Sequence, residues 1–481
     1  MEAAFTDVLT VFGIVVIVYF AVLNSIYLVF TGISGFSLAR QMRRRGYERL
    51  EEAMASPLSP PISVLLPAYN EEAGIRDSVE SLLDLRYPLY EVIVVDDGST
   101  DATVERLRDE FDLVPFRPAL RGAVPHGAVT EAFVSRRDPR LTVLRKVNGG
   151  KADALNCGLG AASYPYICSV DADTLIEEEA LLRLAAPILD DPERVVATGG
   201  IVRIANGCRV EGGRVVEVGL PKSRLATLQV VEYFRAFLVG RIAWSRLGSL
   251  LIISGAFGLF KRSVVEDVGG WWTSTVGEDA ELVARIHRGM RESGRPYSVQ
   301  FVPDPVCWTE APETFAVLGR QRRRWQRGLA ETLLRHRKML GNRRYGSFGV
   351  FALPYFLLFE LLGPVLEFTG FVLLPIAAVL GLLSLNLLAA FTLVALVLGI
   401  LLSVSALALE ELSFRRHLRH RDALRLLAYA VVDNLGYRQL NDAYRAIGIV
   451  DFLRKRDGWG EMERRGIGRG PEETKALPDA P

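Results

Sequence analysis

The sequence predicts an α/β fold, a doubly wound and mostly parallel sheet, forming one domain inserted between transmembrane helices. Three observations carry that prediction. Between about residues 50 and 340, short apolar runs alternate with helical segments. On either side lie uncharged apolar runs long enough for a bilayer. Arginines crowd the borders between the two kinds of sequence.

The first run, Val8 to Phe30, has no charged residue and as a helix would reach about 35 Å at ~1.5 Å per residue. A cleaved signal peptide fits poorly, because no Lys or Arg precedes the run. Arg40, Arg43, Arg44, Arg45 and Arg49 follow it and only Glu2 and Asp7 precede it, so the amino end is expected outside and the inserted domain in the cytoplasm.

Leu387 to Leu409 is a second uncharged run, and Phe348 to Leu385 is apolar apart from Glu360 and Glu367. With 50% hydrophobic residues in 481, the chain is expected to be a multi-pass protein of the cell (inner) membrane. The loop Glu410 to Arg425 carries Arg415, Arg416, Arg419, Arg421 and Arg425 and is expected in the cytoplasm. Phe348 to Leu385 then reads as one crossing plus an interfacial half, broken near Pro354 or Pro364. Leu424 to Leu453 contains Asp433, Asn434, Arg438, Asp442 and Arg445, and reads as an interfacial amphipathic helix in preference to a final span.

Inside the domain, "ISVLLPAYNEEAGIRDSVESLLD" reads as a buried strand, a loop and a helix. "YEVIVVDDGSTDATVERLRDE", "LTVLRKVNGGKADALNCGLGAA" and "YPYICSVDADTLIEEEALLRLAAPIL" repeat that order. Strand and helix in regular succession imply parallel strands, whose ligands sit beyond the carboxyl ends. Residues 111–140, rich in Pro, Gly and Arg, read as a surface insertion, and "GCRVEGG" at 207–213 as a hairpin turn.

Composition narrows the chemistry. The net charge of +1 comes from clustered rather than surplus basic residues, and no nucleic acid partner is expected. Neither a G-x-G-x-x-G after the first strand nor a phosphate-loop lysine motif is present. Cys157, Cys168, Cys208 and Cys307 form no CxxC pair and read as reduced structural thiols.

Two acidic pairs end strands. Asp96 and Asp97 close the second, where Asp also serves turns, but where it can accept hydrogen bonds from a base or ribose. Asp171 and Asp173 close the fourth; on an extended chain their carboxylates share one side and suit Mg²⁺ or Mn²⁺ together with phosphate oxygens. Lys151 starts a helix after two glycines, a place where a cation can neutralise a diphosphate. In "GEDAELVARIH", Thr275 and Glu278 have capping-box spacing, leaving Asp279 as a cap acid or a catalytic one. "GRQRRRWQRG" reads plainly as a basic helix on anionic lipid, with Arg322 and Arg323 the natural lipid contacts; Gln321, Arg324 and Trp325 better suit a diphosphate and a sugar.

Taken in order, "LLPAYNEE", "VVDDGSTD", "GGKADALN", "VDADT", "SGAFGLFKR", "GEDAEL" and "QRRRW" resemble the membrane-integrated processive glycosyltransferases of family 2, which include cellulose, chitin, hyaluronan and poly-N-acetylglucosamine synthases. The resemblance covers about residues 60 to 330 with the flanking spans. It implies a GT-A-like domain and an inverting transfer from a UDP-sugar to a growing β-linked polysaccharide, with transfer of one sugar to a lipid acceptor as the alternative. Tyr69, Glu71 and Asp96 or Asp97 would hold uracil and ribose, and Lys151 the diphosphate. Asp173, supported by Asp171, would bind Mg²⁺ or Mn²⁺. Asp279 would deprotonate the acceptor hydroxyl, with Glu278 holding the turn. Gln321, Arg324 and Trp325 would close over the nucleotide and acceptor end, and Ser254 to Phe257 would line the acceptor cleft.

The expected organisation is therefore an amino-terminal helix and basic flank at 1–50, the transferase domain at 51–310, interfacial helices with "QRRRW" at 311–345, transmembrane helices at 346–410, and a basic loop, final helix and tail at 411–481. Membrane lipids are expected partners. The few carboxyl-terminal spans leave room for an accessory membrane subunit.

Overall fold

Runs of Val, Ile and Leu with no polar alternation form strands buried on both faces. The computed structural model describes residues 2–45, 59–122, 124–414 and 420–454, and contains twelve strands. They are β1 (Ile62–Ala68), β2 (Tyr90–Asp96), β3 (Leu113–Pro115), β4 (Val129–Ser135), β5 (Leu141–Lys146), β6 (Tyr166–Val170), β7 (Thr174–Ile176), β8 (Val195–Ile204), β9 (Arg209–Glu211), β10 (Arg214–Glu217), β11 (Phe257–Lys261) and β12 (Ser298–Thr309). Contacts divide the chain into two compact units. Among the described residues, one comprises 2–45, 223–247 and 312–454; the other comprises 59–222 and 248–311.

The second unit is built on a ten-stranded sheet of order β3-β4-β5-β2-β1-β6-β11-β8-β12-β7. Its centre, β5-β2-β1-β6, is parallel and consists of the four strands read from the sequence. Beyond β6 the sheet is mixed: β11 runs antiparallel to both neighbours, β8 and β12 are parallel, and β7 is antiparallel to β12. At the other edge, residues 111–140 are not merely a surface insertion. They supply β3 and β4, both antiparallel; β3 is a three-residue edge strand, and β4 is partly exposed at its start, where Thr130 and Glu131 interrupt any apolar run. The expected hairpin is present as the separate pair β9 and β10.

The first unit is helical. Among the described residues, three of its helices are long and apolar enough to cross a membrane: Thr6–Met42, Phe348–Val379 and Leu385–Leu412. Val16 and Phe20 of the first pack with Leu374, Ala377, Phe391 and Ala395 of the other two. Ser223–Leu247 belongs to this unit. Its helix begins at Ser223, whose hydroxyl accepts the Ala226 N–H, and buries Phe234, Leu238, Ile242 and Trp244 here.

Leu424 to Leu453 differs from the amphipathic interfacial helix expected. It forms two helices, His420–Val432 and Arg438–Leu453, broken at Leu435 and at Gly436 with φ 118°, a left-handed value suited to glycine. Several polar side chains of this segment face inward. Arg235 pairs with Asp433 at 2.8 Å, Arg438 with Glu367 at 3.4 Å and Arg445 with Glu360 at 2.7 Å. The two glutamates that interrupt the apolar run thus have internal partners. Periodicity reveals a polar face, but not whether water, lipid or another helix meets it. Arg49, Arg415, Arg416, Arg419 and the tail 455–481 lie outside the described residues.

Candidate active site

Because β5, β2, β1 and β6 are parallel, the residues that follow them emerge along one edge of the sheet. After β1 the chain turns at Asn70, φ 55°, held by its N–H to Ser99 Oγ at 3.0 Å; the Thr100 N–H returns a bond to Asn70 Oδ1 at 2.9 Å. Tyr69, at that turn, is 48% exposed, whereas Glu71 is buried. The Glu71 N–H donates to Thr103 Oγ1, and its carbonyl accepts from Gly74 and Ile75 at the next helix.

Asp96 and Asp97 are also buried, and neither presents a carboxylate to solvent. Asp96 accepts the Ser99 N–H at 3.3 Å. Asp97 accepts the Gly149 and Gly150 N–H groups at 3.0 and 2.6 Å and an ammonium bond from Lys146. Burial pushes both carboxyls above their usual range, against these bonds. Their bonds tie the turns that follow β2 and β5.

Lys151 opens the helix Lys151–Ala161 after Gly150, whose φ of 88° favours glycine. Its ammonium lies 2.5 Å from Asp171 and 3.4 Å from Glu278. Burial opposes that charge, but Asp171 and Glu278 outweigh it and raise the pKa. The segment Asp171–Asp173 is a turn rather than an extended chain: the Asp171 carbonyl accepts Thr174 N and Oγ1, and the Ala172 carbonyl accepts the Ser78 hydroxyl. Burial and the neighbouring Asp171 raise Asp173 to about 7, against the pull of Lys151.

The helix Glu278–Glu292 begins after Gly277, and Thr275 does not form the expected capping box; its hydroxyl accepts the Gly277 N–H instead. Glu278 is buried against Lys151 rather than merely holding a turn. Burial raises its carboxyl, with Asp279 adding to it and Lys151 opposing. Asp279 stays half-buried, its carboxylate accepting the N–H of Ala280 at 2.7 Å and of Gly255 at 3.3 Å. Gly255 is a point of close approach: a Cβ there would lie 2.7 Å from Lys151 Nζ and 3.9 Å from Asp279 Cβ. Lys151, Asp171, Glu278, Asp279 and Gly255 therefore converge.

A divalent cation fits this donor set in a particular way. Among the described residues, no three His, Cys, Asp or Glu side chains stand close enough to hold a metal alone. Asp171 and Asp173 supply two adjacent carboxylates, and a cation bound there would complete its shell with phosphate oxygens and water, as Mg²⁺ commonly does.

Gln321, Arg324 and Trp325 belong to the helical unit, on Phe315–Arg335. Trp325 is 44% exposed, and Gln321 Oε1 is buried without a hydrogen-bond partner among the described residues. Of the two arginines expected at lipid, Arg322 is enclosed within the helical unit and Arg323 is partly exposed. Arg322 is buried, pairs with Glu232 at 2.8 Å and lies 4.5 Å from the Trp325 ring centre; Arg323 pairs with Asp451 at 2.6 Å. The residue missed altogether is Lys146, a buried lysine ending an apolar strand in "LTVLRK", where a charge that close to a core was itself a signal.

Parts of this sequence are similar to known proteins. The profile described as "Glycosyl transferase family group 2" matches residues 166–405, and that described as "Glycosyl transferase family 2" matches residues 63–121. The poly-β-1,6-N-acetyl-D-glucosamine synthase of Staphylococcus epidermidis (strain RP62A) is 34% identical over 276 residues, 57% of this chain and 56% of that protein. The synthase of the same name from Staphylococcus aureus (strain COL) is 33% identical over 279 residues, with the same shares. The match thus spans little more than half the length of these curated relatives. Among solved structures, a mannosyltransferase from Pyrobaculum calidifontis, in complex with GDP-mannose and Mn²⁺, aligns over 90% of this chain and 100% of that one, at 19% identity and a TM-score of 0.47.

Proposed function

From the premise that this chain is a family 2 glycosyltransferase, we propose that it is an inverting, processive enzyme that extends a β-linked polysaccharide from a UDP-sugar and helps pass it across the cell membrane. The observation that supports this most is the convergence of Lys151, Asp171, Glu278 and Asp279 around Gly255 at the carboxyl edge of the parallel strands.

Each group has a task that its surroundings suit. Tyr69, exposed at the edge, offers a ring on which uracil can stack. Asp96, Asp97 and Glu71 act beneath it by fixing the turns that shape the nucleotide site. Lys151 carries the positive charge that a diphosphate needs, and on donor binding it exchanges a carboxylate partner for phosphate. Asp171 and Asp173 would hold Mg²⁺ or Mn²⁺, which when bound stabilises the charge that gathers on the departing UDP. Gln321, Arg324 and Trp325 serve the nucleotide and the acceptor end, with the exposed indole as the sugar platform.

Asp279 takes the proton of the acceptor hydroxyl as its oxygen attacks the anomeric carbon opposite the departing UDP. A positioned base contributes ~10² to 10⁴ in rate. The Gly255 and Ala280 N–H groups fix the place of its carboxylate. No acid is needed on the other side, because UDP leaves as an anion. The inserted domain works in the cytoplasm, where UDP-sugars are made. The spans and an accessory membrane subunit provide the product's path.

The test is turnover of a panel of UDP-sugars by the full chain in nanodiscs, read as UDP release and as product length on a sizing gel. UDP-N-acetylglucosamine comes first, because two synthases that match this chain are named for a polymer of that sugar. A ladder of long products is expected. A single added sugar on a lipid would overturn the polymer reading.

A further inference from the structure

Lys146 is the most enclosed cation in the sheet unit, and the chemistry above does not use it. Its side chain has no exposed surface, and its ammonium bonds Asp97, Asp153 at 2.6 Å and the Val147 carbonyl at 2.6 Å, one acceptor for each N–H. Burial opposes its charge, and the bonds to Asp153 and Asp97 outweigh that and raise its pKa. Each acid it holds grips a different piece of backbone. Asp97 binds the N–H of Gly149 and Gly150, and Asp153 binds the N–H of Gly127 at 3.0 Å.

Those contacts all converge on the turn that delivers Lys151. Asn148 Nδ2 donates to the Asp97 carbonyl at 2.8 Å, and Gly98, φ 75°, lets the two turns meet: a Cβ there would lie 3.1 Å from Asn148 N. At Gly149 a Cβ would fall 2.6 Å from Asp153 Oδ2, so the turn has no slack on that side. The far end of the helix is tied as well, the Arg121 N–H donating to the Gly160 carbonyl at 2.8 Å. The segment leading into β4 is thereby fastened along the helix that carries Lys151.

We infer that Lys146 is a positioning residue for the donor diphosphate. It is the buried hub that, through Asp97 and Asp153, sets the Asn148–Gly150 turn and so the place of the Lys151 ammonium. This rests on the reading of Lys151 as the phosphate cation. Lys146 itself touches no substrate.

Calorimetry with UDP and Mn²⁺ on the full chain in nanodiscs tests both claims separately. Lys151→Gln should weaken UDP binding on the order of tenfold, the worth of one charge-assisted hydrogen bond. Lys146→Met with Asp153→Asn, which keeps the net charge of the cluster, should weaken it comparably, and the triple variant should be no weaker than Lys151→Gln. Asp153→Asn alone, a milder change if the pair does not fold, should cost less affinity and nothing in the Lys151→Gln background. If Lys151→Gln binds UDP normally, the Lys151 reading falls and the positioning role with it. If Lys151→Gln weakens binding while the cluster variants bind normally, or if their losses add to it, the positioning role alone is overturned.

Discussion

The ammonium of Lys151 sits 2.5 Å from a carboxylate oxygen of Asp171. The cation assigned to the diphosphate and an acid assigned to the metal therefore neutralise each other before any substrate arrives. Binding of donor and metal separates them, each taking a partner of higher charge. Asp173, beside this pair, is left as the carboxyl most crowded by burial and by its neighbour.

One consequence concerns metal affinity without nucleotide. Lys151→Gln removes the competitor for Asp171, so Mn²⁺ should bind the nucleotide-free variant several-fold more tightly, while UDP binds more weakly. Calorimetric titration of each ligand alone reads both signs, and a loss of Mn²⁺ affinity would contradict the exchange of partners.

His287 gives the sheet unit a defined pH response. Its ring nitrogens engage Tyr297 Oη at 2.7 Å and the Leu250 carbonyl at 2.9 Å, and burial holds its pKa down at about 4. The folded form thus binds fewer protons than the unfolded chain between pH 6.5 and about 4. Stability that is full above the first value is lost as pH falls toward the second, on the order of 3 kcal/mol in all. Hydrogen exchange in Glu278–Glu292, corrected for intrinsic rates, should show protection falling across that window. In His287→Gln the same window should be flatter.

The helical unit makes a stability prediction of its own. Glu367 is buried, accepting the Tyr19 hydroxyl at 2.8 Å and pairing with Arg438 at 3.4 Å. Arg438→Met strands that acid and should cost about 3 kcal/mol, as broken buried pairs do. Adding Glu367→Leu should recover most of it. Thermal inactivation of the two variants in nanodiscs is the measurement, and equal losses would deny the pairing.

Trp325, half in solvent and stacked near Arg322, should matter more to product than to nucleotide. Trp325→Ala is expected to shorten the polymer strongly while changing UDP affinity less than threefold. The opposite ranking would make the indole a structural residue.

Much of this was legible in the sequence for a physical reason. The four central strands are mostly apolar runs that end at or just before Asp, Asn or Gly residues, so both their burial and their edge could be read. What could not be read depended on partners distant in the chain. Asp97 looks the same whether it meets a ribose or Lys146, and Arg322 the same whether it meets lipid or Glu232. Glu278 carried a capping pattern, yet its carboxylate went to Lys151, contributed by another segment. β3 was missed because three residues are too few to show a period, and β4 because its exposed first half, with Thr130 and Glu131, breaks the apolar run.

The central claim is that Asp279 is the base in a site that binds the donor without it. The most direct measurement pairs UDP release with UDP binding in Asp279→Asn, in nanodiscs with Mn²⁺. Release is predicted to fall by ~10² or more with binding unchanged within twofold. Turnover at the wild-type rate would contradict the assignment.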